Sequence, residues 1–252
     1  MSRNKARDTL AFCLGIILIG CLIQAAGWMK NDRLVFPDVS EILRAFFGLL
    51  AKGETYRKIG VTLRHLVEVM AVSTVLGVAL GIVEGMSDFV RTLLKPMMIM
   101  LRSIPMIVMV VVVMVLTTYD RVPLIASSFF LVPMISEATS EGCRRIDREL
   151  IDVYRMNSRF NALVLREVYL PLMAGYLRQA YINAVGMGLK LVVSTEYLVQ
   201  TRNSLGKAVH SSGYFNEYQD IYAYALIMIA LVLLVSEAPL AILRWIDDKR
   251  GE

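Results

Sequence analysis

The sequence predicts an all-α polytopic membrane protein with about six transmembrane helices, and three observations carry that expectation. Of the 252 residues, 56% are hydrophobic and only 19% charged, with a mean hydropathy of +0.57, outside the balance that gives a soluble domain its polar shell. The apolar residues come in runs of roughly 20, the length a helix needs to cross a hydrocarbon core about 30 Å thick. Lys and Arg collect in alternate connections, as retention of cytoplasmic loops requires. The net charge of +5 does not point to nucleic acid, because the basic residues are interleaved with apolar runs too long for such a surface.

The first span is about Leu10 to Met29, preceded by Arg3, Lys5 and Arg7. It resembles a signal peptide, but the run is long and carries no convincing A-x-A cleavage site, so an uncleaved helix is expected. Residues 34–54, "LVFPDVSEILRAFFGLLAKGE", read as a turn and an amphipathic helix along the outer surface, with Ile42, Leu43, Phe46, Phe47 and Leu50 on one face. The later spans cover about Ile59 to Met86, Leu93 to Thr118, Pro123 to Ala138, Tyr169 to Leu198 and Ile221 to Ile246. Gly77, Gly81 and Gly85 repeat G-x-x-x-G along the second span, a face built for close helix packing. An even number of spans puts both termini on one side. Arg91, Lys95, Arg144, Arg145, Arg148, Arg155, Arg159 and Arg166 make that side the cytoplasm, although Arg44, Lys52, Arg57 and Lys58 fall outside it. The chain reads as one transmembrane domain over 1–252, with 1–35 holding the first helix and tail.

The longest cytoplasmic connection contains Asp152 to Pro171, "DVYRMNSRFNALVLREVYLP". Its pattern suggests a short helix, a break near Asn157-Ser158 and a second helix that continues into the membrane. A helix-turn-helix protruding from a bilayer suits docking to a soluble partner; an amphipathic loop resting on the headgroups fits the pattern equally well. The spacing resembles the EAA loop of bacterial ABC-importer permeases. Counting back from Leu170-Pro171 puts Val168 at that loop's Ile, Ser158 at its Gly, and Asp152, Val153 and Tyr154 at Glu-Ala-Ala. Only Leu and Pro are identical, and Ser in place of Gly disfavours a positive φ. Further similarities follow in order over about Phe36 to Trp245. "VLGVALGIVEGMSDFVRTLLKPMMIMLRSIPMIV" resembles the second and third spans of the sulfonate, taurine and nitrate group, with Arg102-Ser103-Ile104-Pro105 at an Arg-Pro-Ile-Pro-like bend. "STEYLVQTRNSLGKAV" resembles that group's Ala-Glu-Met and Ser-Gly-Leu-Gly turn.

The resemblance implies a permease subunit of the bacterial cytoplasmic (inner) membrane with a cytoplasmic coupling helix. It implies pairing with a second copy as a homodimer, a separate ATP-binding cassette ATPase on the inner face, and an extracytoplasmic substrate-binding protein. On it, Asp152, Val153, Tyr154, Arg155, Met156, Asn157, Ser158, Arg159 and Phe160 couple to the ATPase. The solute it implies is small and anionic or polar.

Ionisable residues inside spans cost about 2.5 to 3.5 kcal/mol on insertion scales, so each is a functional candidate. The set is Glu68, Arg102, Arg178, Lys190, Glu196 and Glu237. Pro105 removes a backbone donor and leaves carbonyls near a bend that must face protein or a water-filled path. Arg102, Ser103, Pro105, Met106 and Glu196 are therefore the expected translocation-path residues, against a kinked packing helix with Arg102 snorkelling to the headgroups. Glu196 serves either the path or an ion pair with Lys190; Glu68 and Glu237 read as structural pairing groups. "LGKAV" at Leu205 to Val209 resembles the end of a phosphate loop, but Ala208 stands where Ser or Thr must hold Mg²⁺. No cofactor is expected in this chain; ATP and Mg²⁺ belong to the partner. Cys13, Cys21 and Cys143 read as core residues, and His65 and His210 as lone histidines. A secondary transporter would show inverted repeats with broken helices in matching positions, and only the break at Pro105 is visible.

Overall fold

The structure, a computed structural model, describes residues 37–146 and 169–250, with only the backbone of 170 and 237–250. The described residues are helical and contain no strand: α1 Val39–Leu50, α2 Gly53–Met86, α3 Asp88–Ser103, α4 Met106–Leu116, a 3-10 turn Tyr119–Arg121, α5 Val122–Arg144, α6 Leu170–Val199, α7 Leu205–Tyr214 and α8 Tyr218–Arg250. The first expected span and all of Asp152–Phe160 lie outside the described residues.

Two compact units make up the chain. One comprises the described residues up to Arg57 with Ala208–Ala230; the other is Lys58–Lys207 with Leu231 onward. In the first unit, α1 begins with the Asp38 N–H donating to Glu41 Oε2 at 3.1 Å, half of a capping box. Its buried residues are Ile42 and Leu49, two turns apart, whereas Leu43 and Phe47 are exposed. The apolar face read from sequence is thus split. Ile42 and Leu49 point inward, and Leu43 and Phe47 stay outside, as suits a helix whose surroundings include lipid.

Among the described residues four helices are long and apolar enough to cross a membrane: α2, the turn with α5 over Tyr119–Arg144, α6 over Pro171–Val199, and α8 over Tyr218–Ser236. The stretch expected as one span from Leu93 to Thr118 is instead two helices, α3 and α4, bent by 99°. The cause is local. Pro105 has no N–H and its ring excludes the helical course, while Ile104 before it is extended at φ −69°, ψ 125°. With 11 residues, α4 reaches only about half the hydrocarbon thickness at roughly 1.5 Å per residue. Its valines divide between a buried side, Val110 and Val113, and an exposed side, Val111, Val112 and Val115.

The second unit is assembled around α5. Val69, Leu131, Ile135, Ala184, Leu191 and Val192 from α2, α5 and α6 form one core. Met109, Val110, Val113, Val122, Ala126 and Val199 form another. Cys143, Ile146, Tyr169 and Met173 close the end, where the Cys143 thiol donates to Met173 Sδ at 3.0 Å. The expected glycine face is where α2 meets α5. A Cβ on Gly81 would lie 2.5 Å from the Ser136 carbonyl oxygen and 2.5 Å from Thr139 Cβ; one on Gly85 would lie 2.5 Å from Cys143 Cβ. Only hydrogen fits there, so the two helices approach backbone to side-chain root.

Candidate functional site

Two polar clusters interrupt these apolar cores. The first is centred on Glu196 in the last turn of α6, a side chain with 0% exposure. On α2, Thr62 and His65 stand one turn apart on the buried face, also carrying Leu66 and Val69. Thr62 donates its hydroxyl to Glu196 Oε2 at 2.8 Å, and His65 Nδ1 lies 2.7 Å from Oε1. After α6 the chain reverses through Gln200 at φ 55° and Asn203 at φ 56°, aiming the N-terminus of α7 back at the same carboxylate. The Gly206 N–H donates to Glu196 Oε2 at 3.2 Å, and the Leu205 N–H to the Thr62 hydroxyl at 3.0 Å. A carboxylate at a helix N-terminus satisfies amides that otherwise lack partners. Gly206 is required sterically, because a Cβ there would sit 2.5 Å from the Tyr197 nitrogen and the Val193 carbonyl oxygen.

Lys190 takes no part in this cluster and is exposed. Six residues separate it from Glu196, which places it on another side of the helix, so of the two roles read for Glu196 the pairing with Lys190 gives way to a contact with His65. The reading of His65 as a lone histidine is likewise corrected. Its only local signal in the sequence is the three-residue spacing from Thr62, which shows a shared face and not the partner. Glu68 pairs with Arg64 at 2.7 Å on the surface of α2, the structural role expected of it.

The second cluster lies along α3 and α5. Arg102, in the last turn of α3, contacts Glu137 Oε2 at 2.6 Å through Nη1 and donates to the Pro133 carbonyl oxygen at 2.8 Å through Nη2. Beside it the Ser103 hydroxyl donates back to the Ile99 carbonyl at 2.8 Å, and Ser103 and Pro105 are exposed at the break. Met106 is half-buried against both larger cores. Arg102 opens onto a cavity of about 380 Å³ whose lining includes Glu84, Arg91, Lys95, Glu137 and Ser140. Arg102 and Glu196 are therefore not brought together: one faces this cavity, the other is sealed in the helix packing. Among the described residues no three His, Cys, Asp or Glu side chains group to hold a metal. Glu84 and Glu137 were absent from the ionisable set read from sequence; Glu84, in "GIVEGM", lies close enough to its helix end to pass for an interfacial residue.

The family profile described as binding-protein-dependent transport system inner membrane component matches residues 73–251. The chain belongs to that family. The match takes in α3 to α8 and the glycine face of α2. A probable ABC transporter permease protein of Brucella melitensis is 23% identical over 83% of this chain and 86% of its own length. The bicarbonate transport system permease protein CmpB of Synechococcus elongatus is 22% identical over 94% of this chain and 88% of its own. A chain of the MetNI methionine ABC transporter, solved in inward-facing conformations, is similar with a TM-score of 0.62 and 19% identity, covering 79% of this chain and 96% of that one. That likeness shows the same fold. This permease is accordingly a multi-pass membrane subunit of an ABC importer family, a transport component of a binding-protein-dependent system.

Proposed function

We propose that this permease forms the translocation path of an importer for a small anionic or polar organic solute, paired with a second copy of itself and driven by a separate ATPase dimer that supplies ATP and Mg²⁺. The observation that carries the path is the break at Ser103–Pro105, where two helices, each too short to span, meet at 99° with Arg102 at the junction. Irregular backbone at membrane depth needs protein or water around it, and an arginine there supplies donors for an oxyanion. CmpB, named for bicarbonate, is a relative whose named solute is a small anion. On this reading Arg102, Ser103 and Pro105 line the path, Met106 anchors the start of α4 beside it, and Glu196 holds the α2–α6–α7 framework around it. With both termini in the cytoplasm of a bacterial inner membrane, the α2–α3 turn and the end of α5 face inward.

The coupling surface is Asp152–Phe160, where Tyr154 and Phe160 supply aromatic anchors and Arg155 and Arg159 rim charges. Tyr154→Asp deletes an anchor and buries an unpaired carboxylate, at a cost on the order of 2 to 4 kcal/mol, or a hundredfold or more in affinity. Co-purification of the ATPase and solute-stimulated hydrolysis in the reconstituted complex should both collapse while the permease still reaches the membrane. A variant that keeps its ATPase and hydrolyses at the wild-type rate would show that the segment rests on headgroups instead.

A further inference from the structure

The cavity between the α2–α3 turn and α5 is lined by polar groups whose hydrogen-bonding capacity the described residues do not fill. Three of its ion pairs are closed: Arg102 with Glu137, Asp88 with Arg144, and Glu141 with Arg145. Glu84 is different. It is 6% exposed, lines the cavity, and its Oε1 makes no hydrogen bond. The neighbouring Ser140 hydroxyl is buried, is equally without a hydrogen bond, and lines the same space. On the α3 wall Arg91 and Lys95 stand one turn apart on one helix face, exposed, and form no ion pair among the described residues. A buried carboxylate oxygen without a hydrogen bond is costly, and so is a buried hydroxyl without one.

We propose that this cavity binds a small zwitterion, its ammonium group held by Glu84 and Ser140 and its oxyanion by Arg91 and Lys95. The cavity volume of about 380 Å³ lies within the range of small-molecule sites. An ammonium brings the donors that Glu84 and Ser140 lack, and a phosphate, sulfonate or carboxylate accepts charge-assisted hydrogen bonds from the paired cations. An anion alone would leave Glu84 uncompensated. A cation alone would leave Arg91 and Lys95, side by side on the α3 wall, without an anion. Two sources present this chemistry: a soluble amino-oxyanion, or the headgroup of a zwitterionic phospholipid entering from the bilayer. The proposal stands apart from the transport reading, since it concerns binding to the permease without its ATPase.

The test uses the full-length permease in detergent, with O-phosphoethanolamine as probe and calorimetry and thermal unfolding as readouts. O-phosphoethanolamine should bind about tenfold or more tightly than ethanolamine or inorganic phosphate alone, and Glu84→Gln, Arg91→Gln and Lys95→Gln should each weaken it by about tenfold to a hundredfold. Without ligand, Glu84→Gln should unfold at the same temperature as wild type or higher, because it removes a buried carboxyl group that is short of donors. Equal binding of phosphate and O-phosphoethanolamine, undiminished binding by Glu84→Gln, or a lower unfolding temperature for that ligand-free variant would each overturn the proposal, the last by showing that Glu84 is already paired. In nanodiscs, phosphatidylethanolamine should compete with the soluble probe where phosphatidylglycerol does not if the natural ligand is a headgroup. Equal binding in the two lipids assigns the site to a free solute.

Discussion

Glu196 and Glu84 are both glutamates, both inside helices long enough to span, and both buried, at 0% and 6% exposure. Glu196 is enclosed by the Thr62 hydroxyl, the His65 ring and the Gly206 amide. Glu84 Oε1 has no hydrogen-bond partner and borders a cavity. The contrast separates two uses of a costly residue. A carboxylate on one helix whose partners come from two others welds the three together; one left short of donors keeps capacity for something that arrives.

The largest effect expected from this contrast is at Glu196. Glu196→Ala should lower stability by about 3 to 5 kcal/mol, since it strands a buried histidine, a hydroxyl and a helix N-terminus at once. Thermal unfolding of the purified permease should show it as a marked drop in midpoint. An unchanged midpoint would mean that the three helices hold together without their carboxylate. Glu196→Gln, which keeps the shape and one acceptor, should fall between the two. Next comes the seam beneath Glu84. Gly81→Val puts a side chain where even a Cβ lies 2.5 Å from Ser136 oxygen, and overpacking of this kind costs about 1 to 3 kcal/mol or more. Gly60→Ala, with open space around it, should have no such effect, and equal losses from the two would remove the steric argument.

Arg102→Ala should reduce uptake in the reconstituted complex while leaving the unfolding midpoint nearly in place. Its ion pair with Glu137 joins side chains 41% and 68% exposed, and such pairs contribute about 1 kcal/mol or less. Undiminished uptake would return Arg102 to packing. The smallest effect belongs to Glu68→Ala, which breaks an exposed, screened pair with Arg64 on α2 and should leave the unfolding midpoint in place. A loss at Glu68 comparable to that at Glu196 would abolish the distinction between exposed and enclosed glutamates.

Run length and loop charge made the helical, membrane-spanning architecture legible, and Pro105 marked the break in α3–α4. The size of that bend was not legible, because one proline permits anything from a modest kink to a right angle and the neighbouring packing decides. Gly77, Gly81 and Gly85 announced a close contact by their spacing, but nothing in a single helix names α5 as the partner. The Glu196 cluster shows the limit most clearly. Glu196 lies 131 residues from His65 and 134 from Thr62 in the chain, and spacing along its own helix offers only Lys190 as an alternative to a place on the path. Short-range spacing speaks for one helix at a time, and ion pairs between helices fall outside it. Glu84 was missed for a related reason, since an acidic residue near a span end normally meets water and here meets a cavity.

The glycine seam between α2 and α5 also fixes where this sequence can change its length. One residue added or removed in either helix turns everything beyond it by about 100°, carrying Gly81 and Gly85 off the contact and bringing a side chain such as Val78 or Ile82 toward a neighbour that tolerates only hydrogen. Away from these glycines substitutions can be absorbed one at a time along the helices, but insertions and deletions cannot. Differences in length among related chains should therefore gather in the connections at either end of α2 and α5 and leave the stretch from Gly77 to Gly85 of constant length.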